Sequence, residues 1–99
     1  MANFVTIYRK KQYRIYSSHK GAYIVHNSDL EFSEHHTHIN NYNTAKFIID
    51  LCIHKTIPHH LSDYLLVSIL RLSNDRKYKM MIERKLEQNK SKKGNNKNE

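Results

Sequence analysis

The densest apolar stretch of the chain runs from Asn43 to Leu72 and has a helical period. Ala45, Ile48, Ile49 and Cys52 fall on one helical face, widened by Phe47, Leu51 and Ile53. Asn43 or Thr44 suits the N-cap, because either side chain can accept a bond from the free amides of a first turn. Pro58 disfavours helical backbone at Ile57, so a first helix over 44–55 should end before it. A second helix over 59–72 follows, with Pro58 at its start. There Leu61, Leu65, Ile69 and Leu72 line one face, and Tyr64, Leu66, Val67 and Leu70 carry apolar surface most of the way round, as expected of a central helix. Ser73-Asn74-Asp75 breaks the pattern and offers a new cap. Tyr78, Met81, Ile82 and Leu86 then trace a narrow stripe on a third, peripheral helix over 75–88.

Upstream the period changes to two. Phe4 to Tyr8 is β-branched and aromatic, Tyr13 to Tyr16 alternates, and Ala22 to His26 is apolar again, which predicts three strands. The alternation sends Tyr13 and Ile15 to one face, Arg14 and Tyr16 to the other. Arg9 to Gln12 and Ser17 to Gly21 are the turns, the second with a glycine able to take a positive φ. Leu30 and Phe32 alternate with acids and predict a short edge strand. No apolar residue follows Leu86, and the Lys- and Asn-rich residues 89–99 read as a disordered basic tail. The fold class is therefore α+β: an N-terminal antiparallel sheet of three or four strands packed on two core helices, with a basic C-terminal helix at the periphery. Residues 1–88 make one domain.

Charge sharpens this picture. Residues 1–20 carry five basic side chains and no acid, residues 76–99 carry nine basic against three acidic, and the middle is mildly acidic. Two basic ends around an acidic middle point to a polyanionic partner, nucleic acid or a nucleoprotein, or to an acidic host protein surface. Tyrosines interleave with the first basic run, and flat rings can stack on unpaired bases while cations meet phosphates. Tyr13 is in phase with the core residue Ile15, so Tyr16, in phase with Arg14, is the better stacking residue. The candidate binding set is Arg9, Lys10, Lys11, Arg14, Tyr16 and Lys20 on the sheet, with Arg76, Lys77, Lys79, Arg84 and Lys85 on the last helix. That helix could equally serve as a dimerisation arm. The helix pair over 44–72 has helix-turn-helix spacing, but its second helix is too apolar to read a groove.

Chemistry beyond binding finds little support. The single cysteine, Cys52, excludes an internal disulfide and suits a reducing, cytoplasmic setting. No stretch approaches the length of a membrane span, and no charged-then-apolar leader is read at the N-terminus. No cofactor and no metal site is expected. The nearest candidates for a metal are His36 and His38, which would point the same way on a strand, with His54 or His60 as a third ligand. His35-His36-Thr37 and His54-Lys55-Thr56 fit the His-x-Thr pattern of two-histidine phosphoesterases. The copies lie too close together, in a chain too short for that fold, and no catalytic residue is assigned.

The run from Thr37 to Asp75 resembles small proteins encoded by phages and mobile elements of low-GC Gram-positive bacteria, over about residues 36–75. The resemblance implies no particular activity. It implies a context, the host-cell cytoplasm, in which such proteins often bind a host protein or nucleoprotein, defence systems included. The expectation is a small, basic, non-enzymatic protein that binds nucleic acid or a nucleoprotein. The alternatives are an inhibitor of a host defence protein, of the anti-CRISPR kind, and a histidine-dependent metal protein or small enzyme.

Overall fold

The computed structural model describes residues 5–18 and 21–97, with side chains described as far as residue 90. Four strands, β1 (Val5–Lys10), β2 (Tyr13–Ser17), β3 (Tyr23–Asn27) and β4 (His36–Ile39), form one antiparallel sheet in chain order. Helices α1 (Tyr42–His54), α2 (Asp63–Leu72) and α3 (Arg76–Lys97) follow. The α+β architecture is as expected, with the sheet at four strands.

The first turn is tighter than the sequence suggests. Arg9 and Lys10 stay in β1, and the chain reverses at Lys11-Gln12. Lys11 takes a φ of 53°, a left-handed conformation that costs a non-glycine residue about 1–2 kcal/mol. Arg14 helps hold it, donating to the carbonyl oxygens of Lys11 at 2.7 Å and Tyr13 at 3.0 Å. In the second expected turn Ser17 still belongs to β2, residues 19 and 20 lie outside the described residues, and Gly21 takes the expected positive φ, 81°. Phe4 lies outside the described residues. β1 is an edge of the sheet, and its pairing with β2 slips by one residue between Thr6 and Tyr8, a bulge.

Leu30 and Phe32 do not form the expected edge strand. Around them the chain makes a run of turns, where the Glu31 carboxylate accepts from the Ser33 hydroxyl at 2.5 Å and the Glu34 amide at 3.0 Å. Such local side-chain bonds compete with a ladder. The fourth strand comes one step later, in the histidine-rich segment 36–39, whose composition carries weak strand propensity.

Helix starts are set by side-chain caps rather than by the proline. Asn41, not Asn43 or Thr44, caps α1, accepting from the Thr44 amide at 3.0 Å. The helix ends at Lys55, which is left-handed and returns its amide to the Leu51 carbonyl. Pro58 does not begin α2. It lies in the link, and Ser62 caps the helix by accepting from the Leu65 amide, with Asp63 favourably placed in the first turn. Asp75 accepts from the Tyr78 amide at 2.8 Å to start α3. That bond and Lys55, 3.1 Å away, hold its carboxyl below the usual carboxylate range. α3 continues past Gln88, where periodicity ends it, to Lys97. Asn89 secures its course by donating to Asp63 at the start of α2, at 2.7 Å.

One core joins the inner sheet face (Tyr13, Ile15, Val25 and Ile39) to all three helices. α2 is its hub, packing on α1, on β3 and β4, and on α3, with Leu66, Ile69 and Leu72 buried. Of the predicted face, Leu61, Ile69 and Leu72 are buried as expected, Leu61 in the link before the helix, while Leu66 is buried in place of the half-buried Leu65. α3 contributes Tyr78 and Ile82, whereas Met81 is exposed. Polar groups in this core are paired. Asn27 donates to the Leu72 carbonyl at 2.8 Å and accepts from the Asp29 amide at 2.9 Å, tying the end of β3 to the end of α2. Ser68 donates to the Tyr64 carbonyl, so the Thr37 hydroxyl, 2.9 Å away, is the donor to Ser68. Cys52 is buried core filler, and burial pushes its thiol up to about 12.

Two outcomes test this packing. Asn27→Ala strips the Leu72 carbonyl of its buried donor and should cost about 2 kcal/mol of unfolding free energy, read by urea denaturation. Cys52 should resist a thiol reagent in the native protein and react at once in denaturant. Because its folded-state value is raised, its contribution to stability is complete below the ordinary thiol range and is lost as pH climbs above about 9. The decline should be shallower in Cys52→Ala, compared by denaturation midpoints across that range, and the buried hydroxyls of Tyr13 and Tyr78, also pushed up by burial, add their own loss above the ordinary tyrosine range.

Candidate functional site

Among the described residues, the helices cover one face of the sheet, and no helix or strand lies over the other. Register fixes what that bare face displays. Arg9 lies opposite Arg14, Arg14 opposite His26, and His26 opposite His36. Directly opposed residues point the same way, so these four form one cross-strand row. The neighbouring row is Thr6, Tyr16, Ile24 and His38. Like charges placed directly opposite one another, as Arg9 and Arg14 are, disfavour the sheet unless an anion screens them. Among the described residues neither arginine has a carboxylate within ion-pair distance.

Phe32, which sequence reasoning placed on a strand, is the lid over half of this face. Its ring lies parallel on His36 with centroids 4.3 Å apart, meets His26 edge-on at 5.1 Å, and approaches Tyr16 at 6.4 Å. Two histidines pin the β3–β4 connection that carries it. His26 Nε2 donates to the Leu30 carbonyl at 2.9 Å, and His36 Nδ1 donates to the Phe32 carbonyl at 2.7 Å. These carbonyls can only accept, so the protonated nitrogen of each ring is assigned. Ile24 and His26 are buried on this outer side, while Phe32 and His38 are exposed.

The basic, aromatic N-terminal run is therefore split between two faces. Tyr8 and Tyr23 turn inward against Tyr42, with Lys46 5.3 Å from the Tyr8 and Tyr42 ring centres. Lys10 is drawn to the helix side too, where its ammonium meets Asp50 at 2.8 Å. The hydrogen bond from Lys10 to Asp50 raises the lysine above its ordinary range. Lys11 sits at the hairpin tip, beside a cavity of about 290 Å³ bordered by Tyr13, Cys52, Lys55 and Asp75. Of the sheet candidates, Arg9, Arg14 and Tyr16 share the bare face. Lys20 lies outside the described residues.

The helical candidates form a separate zone, because α3 packs on α2 rather than on the sheet. They also divide around α3. Arg84 and Lys85 border a groove of about 340 Å³ with Ile57, His59 and Met81. Arg76 and Lys79 border another recess, beside Met80 and the acidic Glu83. Lys77 is exposed.

Among the histidines, His36 and His38 do project together, with their Nε2 atoms 3.2 Å apart. Neither His54 nor His60 completes a group of three ligands with them among the described residues. They open into a recess of about 270 Å³ that Tyr64, Ser68 and Arg71 also border. Tyr64 donates its hydroxyl to the His38 carbonyl and closes that edge of β4. Burial, then the nearby His36 and Arg71, hold His38 below the ordinary imidazole range. Sequence reasoning missed Phe32 as a lid and His26, Tyr64 and Arg71 as neighbours. Only strand register could have revealed the cross-strand rows. Among the described residues, no helix is long and apolar enough to cross a membrane. Comparison with protein-family models, with curated proteins and with solved structures returns no match.

Proposed function

We propose that this is a small, basic, non-enzymatic binding protein that takes up a segment of nucleic acid on the bare face of its sheet. The observation that carries the reading is the row of Arg9, Arg14, His26 and His36, beside Tyr16 and under the exposed Phe32. Two arginines set side by side with no carboxylate partner suit consecutive phosphates, whose charge relieves their mutual repulsion. The exposed Phe32 ring and the half-buried Tyr16 next to them offer flat aromatic surface to unpaired bases, which favours a single strand over a duplex. The zone on α3 adds sequence-independent attraction from another side of the molecule.

One observation favours a second reading, an inhibitor that docks on a host defence protein. The groove beside α3 combines Ile57 and Met81 with Arg84 and Lys85, an apolar floor with a basic rim that fits an acidic protein surface. In that reading the protein works in the cytoplasm of a phage-infected host, as the resemblance over residues 36–75 implies.

Fluorescence anisotropy with labelled single-stranded RNA, single-stranded DNA and duplex DNA separates the two. Binding should weaken steeply with salt. Arg9→Ala with Arg14→Ala should reduce affinity by about tenfold and lower the slope of log affinity against log salt by about 1–2. Arg84→Ala with Lys85→Ala should do less. Absence of binding to all three probes at low salt would overturn the nucleic-acid reading and leave the docking one.

A further inference from the structure

We infer that His36 and His38 form a chelating pair for a divalent transition-metal ion of the Zn²⁺ class, one ion per chain. The inference does not depend on nucleic-acid binding by the same face. Residues two apart on a strand project from one side, and here both rings turn so that their Nε2 atoms converge at 3.2 Å. Two imidazole nitrogens at ordinary Zn–N lengths and a tetrahedral angle stand about 3.3 Å apart, so the pair already has the separation of two ligands on one ion, and a tilt of the rings would turn both lone pairs onto it.

The His36 ring is prepared for this role. Its Nδ1–H is engaged by the Phe32 carbonyl at 2.7 Å, which leaves Nε2 with its lone pair facing His38. A backbone carbonyl on the far nitrogen is the usual way a ligating histidine is oriented and its tautomer set. The parallel Phe32 ring, 4.3 Å away, fixes the plane of the imidazole. Without a metal, His38 must donate Nε2–H to His36, and it needs only the other tautomer to become a second ligand.

Imidazole ligands select Zn²⁺, Ni²⁺ or Cu²⁺ over hard cations such as Mg²⁺ and Ca²⁺. Two protein ligands leave the other positions to water or to an anion. Arg71 borders the same recess, repels a bare cation and attracts such an anion. These features make the site weaker than a closed four-ligand structural one.

Calorimetric titration of the full, untagged chain with Zn²⁺ near neutral pH tests this. The chain has eight histidines, including the adjacent pair His59 and His60, so the comparison must separate sites. Wild type should bind one ion saturably. His38→Gln should weaken binding by about tenfold or more, and His59→Gln with His60→Gln should leave it unchanged. His38 is exposed, so His38→Gln should melt like wild type in the presence of a chelator. Zn²⁺ should raise the wild-type melting temperature more than that of the variant. Absence of a saturable site, or equal affinity in wild type and His38→Gln, would overturn the inference.

Discussion

Side chains alternate across a strand. The register that sets Ile15 opposite Val25, and Val25 opposite Thr37, inside the core therefore also sets Arg14 opposite His26, and His26 opposite His36, outside it. The two faces cannot be adjusted independently. A slip of one residue between β2 and β3 would break the core packing and scatter the basic row together. Burial of Ile15, Val25 and Ile39 under α1 and α2 thus holds the outer chemistry in place, although none of those residues touches it. What the bare face can bind is a by-product of what the covered face must hide.

The helical layer supplies the other half of the constraint. α2 is short but stands between the sheet, α1 and α3, and its C-terminal carbonyl at Leu72 accepts the amide of Asn27. That bond joins the end of β3 to the junction that launches α3. Asp75 starts α3 there, and Tyr78 reaches back to the Thr56 carbonyl at 2.7 Å in the α1–α2 link. Few residues carry many connections, as a small core requires.

Much of this fold was legible in the chain before any coordinates. Period-two and helical patterns located β2, β3 and all three helices, and the phase of Tyr13 with Ile15 assigned the core face correctly. Boundaries were harder, because several residues compete for each cap. Asn40, Asn41 and Asn43 offer the same chemistry within four positions, and Ser62 outcompetes Pro58. β4 was missed as a strand because histidines carry weak local preference and the segment is paired by contacts distant in sequence. The candidate site was legible only in part. Arg9, Arg14 and Tyr16 were found as a local cluster, and His36 and His38 as a pair. Lys10 was grouped with them because its partner Asp50 lies far along the chain. The four-residue row and the lid formed by Phe32 exist only once strands are in register, so no local window could hold them.

The bulge between Thr6 and Tyr8 bears on what the molecule avoids. Among the described residues β1 has one side unpaired and shows Val5 and Ile7 to solvent, the makings of a template for a passing chain. An extra residue twists the strand there and interrupts the even spacing of its free amides and carbonyls. A flat intruding strand can match only a few of them before falling out of step. A single irregularity in the backbone thus disfavours edge-to-edge pairing at β1.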